Sequence, residues 1–350
     1  MVEIWIKFGK TEVFSDIPQE ATLNIVEPQP TWETPNPSEV INNLFDEYQD
    51  LMPHEASETT ILVDYIHGVY EYDRLLFSLL VKIIEKGVEP EKIKVITSAW
   101  RYGTQDIELE VRDKLRQEFR RIGIQKIEST GEITWNKNGK IDIAVLPTAY
   151  WQNKITDPTH MLEKHNHIPE PKLIINPTVG YSGYISEIKY GDKPEITNIP
   201  REETYLIKVE NNPEVVILGS NGHPTDYTLY SCMHILTSIQ GKVEDTVILF
   251  IAECGKGLGP ETFIQKLINI KTGESGEDDE NGYVIKRWLE LTDKTKVCMT
   301  TLLPSSIVET LLNAKHSTVL DDALVYAWRI KSKSSHVAVI PNPLFALIRM

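Results

Sequence analysis

The stretch Glu214-Val215-Val216-Ile217-Leu218-Gly219-Ser220-Asn221-Gly222-His223-Pro224-Thr225-Asp226, answered by Val247-Ile248-Leu249-Phe250-Ile251-Ala252-Glu253-Cys254-Gly255-Lys256-Gly257-Leu258-Gly259, decides the fold. Each half is a short apolar run that opens into a Gly-rich turn. The residues between them, from Thr225-Asp226 through Leu229-Tyr230 toward Ile239, are spaced as a helix. Two strands joined by one helix make a βαβ unit with both turns on one edge of a parallel sheet. Ligands of such sheets sit outside the carboxyl ends of the strands, so both turns are expected to face a pocket. The plainer alternative is that the glycines only satisfy tight turns.

The same rhythm extends upstream. Ile61-Leu62-Val63-Asp64 reads as a strand, Tyr72 to Lys86 as a helix, and Lys92 to Thr97 as a strand. Ile107 to Ile122 reads as a helix, and Lys126 to Ser129 and Ile141 to Leu146 as strands. Leu75, Leu76, Leu79, Leu80, Ile83 and Ile84 give the helix from Tyr72 a broad apolar face, which predicts core packing. Val2 to Phe8 and Thr11 to Phe14 form a strand pair around Gly9-Lys10, and a Pro-rich crossing leads to the helix Val40 to Leu51. Leu173-Ile174-Ile175, Ile185 to Lys189, Lys296 to Thr301 and Val337 to Ile340 are further strands, and Leu320 to Ile330 a helix. Asn153 to Pro171 reads as an irregular excursion and the acidic Gly273 to Gly282 as a mobile loop. The chain is therefore read as α/β, with two α/β domains, parallel-type sheets and a cleft between them. The N-terminal domain is placed at 1–197 and the C-terminal one at 204–335. Residues 336–350 form a closing segment for which a return to the N-terminal domain is one option.

Composition narrows the function. The 350 residues suit two domains, and 41% apolar and 25% charged residues are ordinary for a globular protein. A net charge of −15 argues against a broad nucleic-acid clamp. Cys232, Cys254 and Cys298 form no CxxC pair, which excludes a zinc ribbon and argues against a disulfide scaffold. With no secretory h-region at the start and no stretch of membrane-span length, a cytoplasmic protein without membrane contact is expected. No GxGxxG follows an early strand, so an ordinary nicotinamide-dependent oxidoreductase lacks support.

Several blocks together resemble a known family, the nickel-dependent lactate racemases and their relatives. Phe8-Gly9-Lys10, Ile17-Pro18 and Val26-Glu27-Pro28 are similar to its opening, and Val63-Asp64 to its Asp-containing first-strand motif. Val216 through Tyr230 resembles its Gly-Gly-Tyr-Pro-Leu-Asp…Leu-Tyr stretch. Ala252-Glu253-Cys254 with Gly257 and Gly259 resembles its Ala-Glu-Cys…Gly-His-Gly turn. Asp321-Asp322-Ala323-Leu324 and Val339-Ile340-Pro341 fit its C-terminal end.

The resemblance implies an isomerase: a racemase or epimerase of a small 2-hydroxy acid or sugar acid, with its active site in an interdomain cleft. It implies a nickel pincer nucleotide tethered to a lysine and held by a histidine, with two further histidines as acid and base. Imidazoles suit that exchange because their pKa lies near neutrality. At the first of those two positions this sequence carries Trp100, in Ala99-Trp100-Arg101. His67 stands where the family has the arginine of Asp-x-x-Arg, and His234 ends Tyr230-Ser231-Cys232-Met233-His234 where the family has Tyr-Gln-x-x-Lys.

One placement of the tether segment, through Tyr181-Ser182-Gly183, puts Asn176 at the histidine and Ser186 at the lysine. The favoured placement, through Tyr150-Trp151 and Asn166-His167, gives Lys154 as tether and His167 as metal ligand, with Ala149 at a catalytic histidine. His165 and His167 sit two apart, where two imidazoles reach one metal or simply face solvent.

The expected site is then His67, His234 and Arg101 as catalytic or substrate-binding groups. Lys154, Asp64, Asp226, Tyr230, Gly257 and Gly259 line the cofactor, and His167 holds the metal. The competing expectation is a non-catalytic member that binds a nucleotide or small anion.

Overall fold

The computed structural model describes the chain apart from residues 28–29, 31, 54–57, 131–139, 152–153, 159–161, 163–168, 193–201 and 275–278. It consists of two compact units, one built from Met1–Gln29, Trp151–Lys154 and Tyr205–Met350, the other from Pro30–Tyr150 and Ile155–Thr204.

The unit that holds the C-terminus is organised on six parallel strands. Their order is Lys315–Ser317, Lys296–Thr300, Val247–Ile251, Val215–Gly219, His336–Ile340 and Thr22–Ile25. Val215–Gly219 and Val247–Ile251 are buried throughout, as central strands covered on both faces must be. Val215 pairs with Val247 in parallel, as expected of a βαβ unit. The hairpin Val2–Phe8 with Thr11–Ile17 lays Ile4, Ile6, Phe8 and Ile17 on this sheet, in one core with Ile217, Leu249, Val339 and Leu324. Period-two alternation puts exactly one face of each hairpin strand inward, which the burial of Ile4, Ile6 and Phe8 reproduces.

The other unit carries an eight-stranded sheet ordered Lys126–Ser129, Ile93–Ser98, Thr59–Asp64, Ile141–Val145, Pro171–Val179, Thr148–Trp151 and Lys154–Thr156, with Ile185–Gly191 antiparallel on Pro171–Val179. The helix Tyr72–Glu85 buries Leu75, Leu76, Leu79, Leu80 and Ile83, the face its spacing predicts. Asp64 and Ser98 end adjacent parallel strands and face each other in register.

The structure departs from the sequence reading in organisation. Residues 1–29 belong with the C-terminal unit, not with a domain spanning 1–197. The closing strand His336–Ile340 fills the slot between Val215–Gly219 and Thr22–Ile25, and so pairs with a stretch that the sequence reading placed in 1–197. Strand pairing over more than 300 residues, as between Thr22 and His336, leaves no local mark in the sequence. The helix after Asp226 begins only at Leu229, because Thr228 caps it in a reciprocal box with Ser231. Two helices that the polar composition concealed, Glu261–Thr272 and Glu280–Lys294, flank the stretch read as a loop.

Candidate functional site

In the C-terminal unit the carboxyl ends of Val215–Gly219 and Val247–Ile251 bring two carboxylates together. Asp226 is fully buried, and its Oδ2 accepts from the Gly9 N–H at 2.8 Å, the Glu253 N–H at 3.1 Å and the Ser220 hydroxyl at 3.3 Å. Its Oδ1 has no partner among the described residues. Burial pushes the Asp226 carboxyl up, and the backbone N–H groups of Gly9 and Glu253 pull against that. Glu253, half-buried, is also pushed up, by burial and then by the Asp226 charge.

Gly9 makes this meeting possible: its φ is +56°, and a Cβ there would lie 2.1 Å from Glu253 Oε2. The Asn221 side chain, at φ +67° on the same edge, buries both polar atoms without a partner among the described residues. The exposed Lys256 stands with its ammonium 5.9 Å from the Tyr227 ring.

The Gly-rich turn after Val247–Ile251 serves the neighbouring helix start. The Gly257 and Leu258 carbonyls accept from the Leu229 and Tyr230 N–H groups at 3.0 Å each, and Thr228 Oγ1 accepts from Ser231 N–H at 3.3 Å. The donors a phosphate would need at that helix start are therefore already engaged. Gly259 is set by packing, since a Cβ would lie 2.5 Å from that of Tyr230.

In the other unit the carboxyl ends of Thr59–Asp64 and Ile93–Ser98 hold a closed pair. Asp64 and Arg101, each 1% exposed, form a salt bridge through Asp64 Oδ2. The Trp100 indole N–H donates to the same oxygen at 3.2 Å, and the Arg101 guanidinium lies 4.6 Å from the Trp100 ring centre. Arg101 also donates to Thr156 Oγ1 at 3.3 Å and to the Pro147 carbonyl at 3.4 Å, and the Tyr72 hydroxyl donates to the Asp64 carbonyl at 2.7 Å. Asp64 Oδ1 has no partner among the described residues. Burial pushes the Asp64 carboxyl up while Arg101 holds it down.

Residues 209–348 match the family model described as the lactate racemase C-terminal domain. Over that stretch, 140 of the 350 residues, the chain is similar to the lactate racemase C-terminal domain. In fold, this lactate racemase-like protein is similar to the lactate racemase apoprotein from Thermoanaerobacterium thermosaccharolyticum, with a TM-score of 0.61, 16% identity and 100% of each chain covered. No curated protein matches its sequence.

The residues carried over from the family are distributed unevenly in the lactate racemase-like chain. Asp64 and Arg101 meet, and Tyr230 is buried edge-on to Phe263, with ring centres 5.4 Å apart. His67 is half-buried, its N–H donating to the Tyr102 hydroxyl at 3.0 Å and its ring edge-on to Tyr65. His234 is 3% exposed and lies against Trp151, with ring centres 4.1 Å apart and planes tilted by 38°. Burial lowers its pKa to about 3, so it stays neutral at physiological pH. Lys154 forms an ion pair with Glu280 at the start of the helix Glu280–Lys294. His165 and His167 lie outside the described residues.

The described residues do not fit a tethered nickel group. The Lys154 amine is engaged by a carboxylate, the Trp100 indole N–H donates to Asp64, and no three metal-binding side chains converge among the described residues. Glu253 and Asn221, which the sequence reading did not single out as site residues, are the additions made by the structure. The Ala-Glu-Cys block was a signal for Glu253, whereas nothing local marks Asn221.

Proposed function

We propose that this lactate racemase-like protein binds a small 2-hydroxy acid or sugar acid at the carboxyl end of its C-terminal sheet, without the two-histidine proton exchange of its family. The observation that carries this reading is Trp100: its indole N–H is committed to Asp64, and an indole exchanges no proton at neutral pH. The ligand class follows from the donor and acceptor inventory. Asp226 and Glu253 offer carboxylate oxygens to ligand hydroxyls, Asn221 offers an amide, and the exposed Lys256 ammonium complements a ligand carboxylate. Phosphate is disfavoured because the helix N-terminus beside the glycine turn is already capped by protein carbonyls and a hydroxyl.

The test combines calorimetry against a panel of 2-hydroxy and sugar acids with chiral chromatography of single enantiomers incubated with the protein. Binding without inversion is expected, weakened about tenfold by Glu253→Gln through loss of one charge-assisted hydrogen bond. Inversion of an enantiomer, with nickel and added mass on Lys154, overturns the proposal. His67, half-buried near the Asp64 turn, favours a second reading with residual acid–base chemistry. Inversion that disappears in His67→Ala establishes that reading instead.

A further inference from the structure

Cys232 and Cys254 come from the two halves of the βαβ stretch and meet at 3.8 Å between their sulfur atoms, both buried and both free. Cys232 lies in the first turn of the helix Leu229–Thr237, where its thiol faces the Thr228 carbonyl at 3.4 Å. Cys254 lies in the turn after Val247–Ile251, in the left-handed region at φ +51°. Non-glycine residues occupy that region only where surroundings impose it. Here the imposing contacts are the Cys254 N–H on the Asp226 carbonyl at 2.8 Å and the Gly257 N–H on the Cys254 carbonyl at 2.9 Å. The 3.8 Å separation of the two sulfurs lies within a small movement of the bonded S–S distance of about 2 Å.

We propose that Cys232 and Cys254 form a reversible disulfide that fastens the Glu253 turn to the start of the Leu229–Thr237 helix. Cys254 reacts first, because Gly255 and Lys256 beside it are exposed and opening of that short turn uncovers its thiol before that of Cys232. The oxidant is a low-molecular-weight disulfide. The Cys254 thiolate attacks one of its sulfurs, the reagent's S–S bond breaks, and one thiolate leaves. The Cys232 thiolate then attacks the Cys254 sulfur of the mixed disulfide, and the second reagent thiolate leaves. The two protons released by the cysteines pass to the two reagent thiols, so the cysteine pair is oxidised by two electrons and the reagent is reduced by two. Burial and the neighbouring Cys254 push the Cys232 thiol up, which keeps the pair reduced until the turn opens. This inference does not depend on the ligand proposed above.

The experiment treats the purified full chain with oxidised glutathione, counts thiols after denaturation and maps peptides without reduction. The expected result is a fall from three titratable thiols to one, a Cys232–Cys254 linked peptide, and return to three on adding dithiothreitol. In Cys298→Ser the same linked peptide forms, and in Cys232→Ser a glutathione adduct accumulates on Cys254 instead. Three thiols remaining after oxidation of the native chain, a stable adduct on Cys254 without closure, or a bond through Cys298 overturns the proposal. Because the native chain supplies the deciding measurement, a variant that fails to fold does not blunt the test.

Discussion

Asp64, at the end of Thr59–Asp64, and Asp226, in the turn that follows Val215–Gly219, follow one pattern in separate units: each is buried, with one oxygen saturated and the other without a partner among the described residues. A buried acceptor left unpaired costs roughly 1–3 kcal/mol, so each such oxygen is a local stability loss. His234 is the opposite case, a titratable group made inert by enclosure. Its folded pKa of about 3 lies below the ordinary value of 6.5. Between those values the unfolded chain binds a proton that the folded chain refuses, so the associated stability is complete above the ordinary value and is lost as pH falls toward the folded one. The loss approaches about 1.4 kcal/mol per pH unit within that window. His234→Phe, which keeps a ring against Trp151, is expected to flatten this dependence. Urea unfolding at neutral and mildly acidic pH checks it, and identical pH dependence in both proteins would contradict the assignment.

At the scale of elements, two turns meet at the Asp226 carboxylate, and their glycines differ in what surrounds them. A Cβ on Gly9 meets the far end of a flexible side chain, Glu253, whereas a Cβ on Gly222 lies 2.8 Å from the Gly9 carbonyl oxygen and 3.0 Å from Lys7 Cβ. Both have positive φ, +56° and +69°. Gly9→Ala is therefore expected to cost about 1 kcal/mol in backbone strain, because Glu253 swings aside. Gly222→Ala is expected to cost about 2–3 kcal/mol, because backbone cannot yield. Equilibrium urea midpoints rank the two, and ligand affinity falls in Gly9→Ala in step with the displaced carboxylate. The strands and helices around these turns were legible from apolar spacing: Tyr72–Glu85 and Leu320–Ile330 agree with expectation to within a residue. The turns' tasks were not, since Gly259 answers to Tyr230 and Gly9 to Glu253, contacts that spacing along the chain does not encode.

For the whole molecule, the first 29 residues are structural members of the unit completed by the C-terminus. Ile4, Ile6, Phe8 and Ile17 cover its sheet, and Thr22–Ile25 pairs with His336–Ile340. Removing residues 1–29 is expected to strip that apolar cover and expose a sheet edge, so that the C-terminal unit loses cooperative unfolding and binds a hydrophobic dye. A sharp, unchanged transition by circular dichroism would show the segment to be dispensable.

The order of α/β elements, the parallel βαβ unit and the resemblance to the lactate racemases were determined by the sequence alone, because periodicity and motif order are local properties written in consecutive residues. Tertiary structure decided the rest. It moved the N-terminal hairpin into the C-terminal unit, paired Lys154 with Glu280, enclosed His234 against Trp151 and set Glu253 into the space that Gly9 leaves. Each of these outcomes joins residues far apart in the chain, and their meeting depends on how whole sheets close and pack, which no local pattern specifies.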